Sequence, residues 1–294
     1  MAGSSSLETV FYTNSAEHVA SKLRLRKGRF TLKRFSDGEI YCRVEESVKG
    51  KSVWVVASTE PPGDNILELA FLLDSLRRGG AKTNLFILYF GYARQDRIAK
   101  EGEALSSKVI CDLLRRFKPG KVMVLHMHSR RIKKFLEYED VIPIELFSTV
   151  IRRMDVVVAP DKGALDLAGR VSRQYHLPLA YMEKSRPRAE EVEITKLVGD
   201  VRGKKAVIVD DMISTGRTVI KASQQLLESG AKEVNVIATH GLFSGSAIED
   251  LERSGITSIS VTNSLKQTHT SELIRTVDIS NFVGKLISSE GPRQ

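Results

Sequence analysis

Two adjacent carboxylates, Asp210 and Asp211, close the apolar run AVIV, and the small, hydroxylated stretch Ser214-Thr215-Gly216-Arg217-Thr218 follows almost at once. A buried strand that carries acids to its C-terminal edge and then turns through a glycine into a helix offers a nest of backbone N–H groups, a ready cradle for phosphate. The Ser and Thr hydroxyls add donors. The two acids repel a phosphate and instead suit hydroxyl groups beside it, so the ligand implied is a phosphorylated sugar. The blander alternative is a capped helix with solvated acids. The G-x-x-x-x-G-K-[ST] spacing of a nucleotide-triphosphate loop is absent.

Four other stretches carry chemistry-bearing residues. Phe35-Ser36-Asp37-Gly38-Glu39 places an Asp-Gly pair between two strand-like runs and reads by itself as a hairpin turn. Arg94 and Gln95 follow a buried run, at the edge where an open sheet offers side chains to a ligand, and arginine suits bidentate phosphate contact. The same segment also reads as a surface ion-pair network of Arg94, Asp96 and Arg97. His128 ends another apolar run, where a lone histidine is ordinarily a satisfied structural residue. Lys184 and Arg186, one residue apart in EKSRPR, fall on the same side of an extended chain and within reach of one phosphoryl group, or else in a solvated loop.

The elements needed to position these residues are legible along the whole chain. Strand-like runs at 52–58, 83–91, 121–128, 155–160, 205–211 and 233–240 alternate with amphipathic segments, the pattern of a parallel sheet covered on both faces. Helix-like segments include 64–80, which opens on a capping Asp64 and closes on glycines, and 217–230. Leu76, Gly80, Ala81 and Lys82 recur as Leu226, Gly230, Ala231 and Lys232, an offset of 150 residues. The chain therefore reads as an α/β duplication of two similar doubly wound domains, 1–145 and 146–294, each a mainly parallel sheet flanked by helices. Ligands belong at the C-terminal ends of such strands.

The 294 residues are long enough for two cores. A net charge of +9 makes a polyanion an obvious partner, but the basic clusters at 24–29 and 129–134 lack the interleaved aromatics of single-strand readers, and a small anionic substrate explains the charge equally well. No nucleic acid and no membrane partner is expected. Cys42 and Cys111 stand far apart in sequence, which fits a reducing compartment without a disulfide framework, and no apolar run approaches the length of a membrane helix. The expectation is a cytoplasmic protein.

VIVDDMISTGRT at 207–218 resembles the sugar-phosphate loop of type I phosphoribosyltransferase folds. FSDGE, YFGYARQDR, LHMH, PDKGA, EKSRPR and VTNSL occur in the order of the landmarks of ribose-phosphate diphosphokinases, so that the resemblance spans essentially the whole chain. The resemblance implies transfer of the β,γ-diphosphoryl group of ATP to the 1-hydroxyl of ribose 5-phosphate. It assigns Phe35, Asp37, Gly38 and Glu39 to the adenine of ATP in a neighbouring subunit, hence at least a homodimer, and Arg94 and Gln95 to ATP, under a mobile loop at 98–107. Lys184 and Arg186 become the catalytic pair, with Arg186 also touching substrate, on a flap. Asp210, Asp211 and Ser214 through Thr218 hold ribose 5-phosphate, and His128 and Asp161 hold Mg²⁺. The last helix is expected to pack back on the N-terminal domain. The chain departs from the family pattern at His126, where Asp is common, and at Lys162, where His is frequent. A non-catalytic regulatory paralogue of the same fold is the alternative.

Overall fold

A computed structural model describes residues 8–185, 194–268 and 271–289. Residues up to Ile142, together with Ser264–Lys266 and those from Asp278 onward, form one compact unit, and Pro143–Asn263 with Gln267–Val277 form the other.

In chain order the first unit contains β1 (Thr9–Tyr12), the one-turn α1 (Glu17–Ala20), β2 (Arg26–Lys27), β3 (Phe30–Arg34), β4 (Ile40–Val44), β5 (Ser52–Ala57), α2 (Asp64–Arg78), β6 (Lys82–Ile87), α3 (Ser106–Arg116), β7 (Val122–Leu125) and β8 (Glu139–Val141). Its main sheet runs β2-β1-β5-β6-β7-β8 with every neighbouring pair parallel. β3 and β4 stand apart as an antiparallel hairpin. The parallel strands read as continuous apolar runs because both faces are covered: Val53 through Ala57 are all buried. α2 buries Ile66, Leu69, Leu72, Leu73 and Leu76, the three-to-four spacing of a helix laid on a sheet. Each such side chain contributes about 1.5–3 kcal/mol on burial. Asp64 is not the cap of α2. Gly63 occupies that position without a side-chain bond, and Asp64 is the first helical residue, where its charge favours the positive end of the helix dipole.

The second unit contains α4 (Ser148–Ile151), β9 (Val156–Ala159), α5 (Leu165–Tyr175), β10 (Leu179–Ser185), β11 (Ile194–Val198), β12 (Lys205–Ile213), α6 (Arg217–Glu228), β13 (Glu233–Gly241), α7 (Ala247–Glu252), β14 (Ser258–Thr262) and β15 (Ile274–Val277). The strand order is β11-β10-β9-β12-β13-β14-β15, parallel throughout except for β10–β11 at the edge. The final helix, α8 (Ser280–Ser289), belongs to the first unit, and Asp278 just before it pairs with Lys22 at 2.7 Å.

The duplication is visible in the backbone. The order β2-β1-β5-β6-β7-β8 repeats as β10-β9-β12-β13-β14-β15. The amide of Gly50 donates to the carbonyl of Gly80 at 2.9 Å, and that of Gly203 donates to Gly230 at 2.7 Å. Likewise Ala81 bonds to Leu76 and Ala231 to Leu226, both at 3.0 Å, and Lys82 bonds to Lys51 and Lys232 to Lys204, both at 2.8 Å. The Gly-Ala-Lys repeat thus marks one helix-to-strand joint built twice. Among the described residues no helix is long and apolar enough to cross a membrane.

Candidate active site

β12 is one of the two longest strands among the described residues, and its last residues carry the acids past the point where β9 stops pairing with it: the β9–β12 register ends at Ile208, whereas β12 continues to Ile213 beside β13. Asp210 keeps part of its surface exposed, but its carboxyl group is enclosed. Burial pushes that carboxyl well above the usual range, and the charges of Asp211 and Asp161 push it further the same way; a hydrogen bond from the Asp211 amide to Oδ1, at 2.8 Å, opposes them. The structure therefore brings Asp161, Asp210 and Asp211 into one cluster of acids.

Asp161 follows β9 and shapes the turn into α5. Its Oδ1 accepts the N–H groups of Gly163 at 2.8 Å and Ala164 at 3.2 Å, and its Oδ2 has no hydrogen bond among the described residues. Lys162 beside it is exposed.

Residues 214–216 link β12 to α6. Gly216 is the N-cap at φ +75°, a left-handed conformation that glycine adopts without penalty, and an added Cβ would lie 3.1 Å from the buried Leu251 side chain. Gly216 has no side chain with which to cap α6, and the first turn of the helix holds no acid. No carboxylate of this turn therefore meets the positive end of the helix dipole. The loop is braced by 241–245, a segment that sequence reasoning does not single out: the amides of Leu242 and Ser244 donate to the carbonyls of Ile213 and Ser214, at 2.8 and 2.9 Å. Its two glycines, Gly241 and Gly245, are the available signal.

The duplicated unit supplies an internal control. Gly50 matches Gly203 and Gly63 matches Gly216, an offset of 153 in each case, so Glu60-Pro61-Pro62-Gly63-Asp64 stands where the second unit has Ile213-Ser214-Thr215-Gly216-Arg217. In this copy an acid fills the first helical turn, and the hydroxyls are replaced by prolines. Asp64 takes Arg34 as partner at 2.8 Å. The equivalent joint is thus free of acid in one unit and acid-filled in the other, and its capping glycine also differs, with φ +75° at Gly216 and −56° at Gly63.

In the first unit, the hairpin expected at FSDGE is present. The Phe35 amide donates to Glu39 and the Gly38 amide to Phe35, and Asp37 Oδ1 accepts the Glu39 amide at 3.0 Å. Phe35 is 47% exposed, with its ring 5.5 Å from that of Tyr41. Arg94 and Gln95 follow β6 and are exposed. Gly91 before them is indispensable, since a Cβ there would lie 2.1 Å from the Thr59 carbonyl oxygen. Gln95 Oε1 accepts the Ser106 hydroxyl at 2.5 Å, tying it to the start of α3. The ion-pair network of Arg94, Asp96 and Arg97 does not form around Asp96: its Oδ2 accepts the Ser129 hydroxyl at 2.6 Å and lies 4.0 Å from Arg131. His128 lies just past β7 and is exposed, whereas His126 is buried. Lys184 is on β10 opposite Thr195 of β11; Arg186 lies outside the described residues.

Comparison with known proteins places these observations. A family profile described as the N-terminal domain of ribose phosphate pyrophosphokinase matches residues 10–117, and one described as the phosphoribosyl synthetase-associated domain matches residues 156–289. Ribose-phosphate pyrophosphokinase of Bacillus cereus is 37% identical over 268 residues, covering 87% of this chain and 84% of that protein. The Bacillus subtilis enzyme of the same name is 35% identical over 291 residues, covering 95% and 91%. The crystal structure of phosphoribosylpyrophosphate synthetase from Mycobacterium smegmatis matches with a TM-score of 0.85 at 29% identity, over 96% of this chain and 98% of that one. A mainly parallel α/β fold built twice and shared with a solved synthetase, together with this identity along most of the chain, leaves one conclusion: the chain belongs to the ribose-phosphate pyrophosphokinase family of enzymes.

Proposed function

We propose that this enzyme converts ATP and ribose 5-phosphate to AMP and 5-phosphoribosyl 1-diphosphate, in the cytoplasm, as a homo-oligomer of at least two chains. The observation that carries the sugar-phosphate half is the acid-free, glycine-capped N-terminus of α6 behind a Ser-Thr-Gly loop, set against its acid-filled counterpart in the first unit. The 5-phosphate accepts N–H groups and hydroxyls from Ser214 through Thr218, and Asp210 and Asp211 accept the ribose hydroxyls. Binding gives the enclosed Asp210 carboxyl, which burial and its acidic neighbours push well above the usual range, a hydroxyl partner.

The donor is bound by residues of the first unit. Phe35 offers an exposed ring for the adenine of a neighbouring chain's ATP, and Asp37 and Glu39 are acceptors for its amino group. Gly38, at φ +95°, lets the turn present them. Arg94 and Gln95 contact ATP, and the guanidinium of Arg94 suits its phosphates. The 1-hydroxyl attacks the β-phosphorus, with AMP as the leaving group. Such a transfer needs alignment and charge neutralisation more than covalent assistance, which Lys184 and Arg186 supply.

Mg²⁺ fits the residues available. Among the described residues Asp161 keeps one carboxylate oxygen without a hydrogen bond, its charge is felt at Asp210, and hard oxygen donors suit this ion. Among the described residues no group of three or more His, Cys, Asp or Glu could hold a metal; Mg²⁺ ordinarily keeps several waters and takes substrate phosphates as ligands. Asp161 and His128 are its candidate ligands, His128 directly or through a bound water. The ion would neutralise charge on the transferred group. Phosphorus NMR of the protein with ATP, Mg²⁺ and ribose 5-phosphate tests the reaction: AMP and a new sugar diphosphate are expected, and formation of ADP would overturn it.

A further inference from the structure

The β3–β4 hairpin joins neither main sheet, and a lone two-stranded hairpin has little stability of its own. Its attachments therefore decide where its tip points. At the base, Phe30, Cys42 and Val44 pack against the core of the first unit. Near the tip the attachment is polar. Arg34, the last residue of β3, sends Nη1 to Asp64 Oδ2 at 2.8 Å and to the Gly38 carbonyl at 3.4 Å, and Nη2 lies 3.5 Å from Glu68 Oε1. Glu68 is 2% exposed and is itself fixed by Asn14, whose amide donates to Oε2 at 3.1 Å and whose Nδ2 donates to Oε1 at 2.9 Å. One guanidinium thus joins the main chain of the 35–39 turn to two acids on α2. The neighbouring Lys33 lies on the other face, with its Nζ 5.9 Å and 5.6 Å from the ring centres of Phe35 and Tyr41.

We propose that Arg34 is a positioning residue, a strut that holds the 35–39 turn at the angle needed to receive the donor nucleotide. The proposal rests on the assignment of that turn to adenine. Only a planar fork with several donors reaches three acceptors on two elements at once; a lysine supplies one point of charge. Arg34 also balances Glu68, so its loss leaves a buried carboxylate with Asn14 alone, and stability falls for a reason unrelated to the tip. The test must separate these two effects.

Arg34→Gln, Arg34→Lys, the double variant Arg34→Gln/Glu68→Gln and Phe35→Ala are compared in the full-length enzyme by thermal melting, by amide hydrogen exchange across 35–39, and by steady-state kinetics. In Arg34→Gln, exchange across the turn accelerates and KM for ATP rises about 10-fold or more, because a displacement near 1 Å is costly in a bound geometry. kcat and KM for ribose 5-phosphate hold, as expected when an interaction made equally in ground and transition states is lost. Arg34→Lys recovers part of the affinity. The double variant, without the orphaned charge, recovers its melting temperature but not its KM for ATP. A double variant that recovers both, or an Arg34→Gln enzyme with unchanged exchange, overturns the strut. If Phe35→Ala leaves KM for ATP unchanged, the adenine assignment fails, and the proposal with it, even where exchange responds to Arg34→Gln.

Discussion

The acid-free first turn of α6 is the feature most exposed to test, because its duplicate shows what the fold does with a carboxylate there. Arg217→Asp places an acid at the position equivalent to Asp64. For the helix alone this change is favourable, by about 0.3–1 kcal/mol, since an acid complements the positive end of the dipole. For a bound phosphate it is adverse. At about 5 Å, each unit of opposing charge costs ~0.8 kcal/mol in water-like screening and ~3 kcal/mol at an effective dielectric of 20. Arg217 is exposed, so the lower part of that range applies, and a phosphate near −2 doubles it to about 2 kcal/mol. Arg217→Gln removes the arginine without adding the acid and isolates that term. Calorimetric titration with ribose 5-phosphate should find Arg217→Asp binding about 30-fold more weakly than Arg217→Gln, with a gap that narrows as salt is raised. Thermal melting should find Arg217→Asp at least as stable as Arg217→Gln. Equal affinities for the two variants at low salt would falsify the assignment of the phosphate to this helix terminus.

Three further outcomes follow from the same geometry. Lys184→Ala lowers turnover by roughly 10²–10³ with little change in KM for ribose 5-phosphate, the signature of a cation acting on the transition state; unchanged turnover with a raised KM counts against it. Asp211→Asn weakens ribose 5-phosphate binding by about 1.5–3 kcal/mol while ATP binding persists, since a charged acceptor is lost, and calorimetry showing equal affinity removes the sugar-hydroxyl role. Burial raises the Cys42 thiol to about 11, helped by Glu68, and burial with Asp112 raises Cys111 to about 12. At pH 8 a thiol reagent should therefore label either cysteine in the native protein at least about 200-fold more slowly than after denaturation; rapid labelling of native protein contradicts this.

The parallel strands were legible in the sequence because burial on both faces leaves an uninterrupted apolar run, as in Val53–Ala57 and Val156–Ala159. The duplication was legible because the joint after α2 and α6 needs the same glycines each time: Gly80 and Gly230 have φ of +82° and +88°. Side-chain partners were less accessible. Asp96 looks, by proximity in sequence, like a partner for Arg94 and Arg97, yet the fold turns it to Ser129 and Arg131 on the segment after the next strand. Nothing local in FSDGE says that its hairpin stands outside the main sheet, and nothing in GLFSG says that its amides brace the loop after β12. These are choices between long-range partners of similar local cost, and only the packed chain decides them.

The divergence of the two copies gives the duplication a chemical meaning. A helix that follows a strand through a short turn leaves its first N–H groups without intrahelical partners, so each unit of the duplication begins with donors to satisfy at this joint. In the second unit the helix terminus keeps its positive character, and the acids are set back on the strand, where a sugar's hydroxyls can meet them. In the first unit Asp64 sits on the terminus itself, and with Glu68 one turn further it attracts a cation from the chain, Arg34. An intramolecular guanidinium thus stands paired with acids at the joint where the other copy carries the proposed phosphate loop. On this view the acids of α2 have a dual effect: they close a second phosphate cradle and fasten the hairpin that carries Phe35. Asp64→Asn should accordingly loosen the 35–39 turn less than Arg34→Gln does, since Glu68 still holds the guanidinium. It should not create a second ribose 5-phosphate site, because Pro61 and Pro62 lack the hydroxyls, and Pro61 and Pro62 the amide hydrogens, that Ser214 and Thr215 contribute.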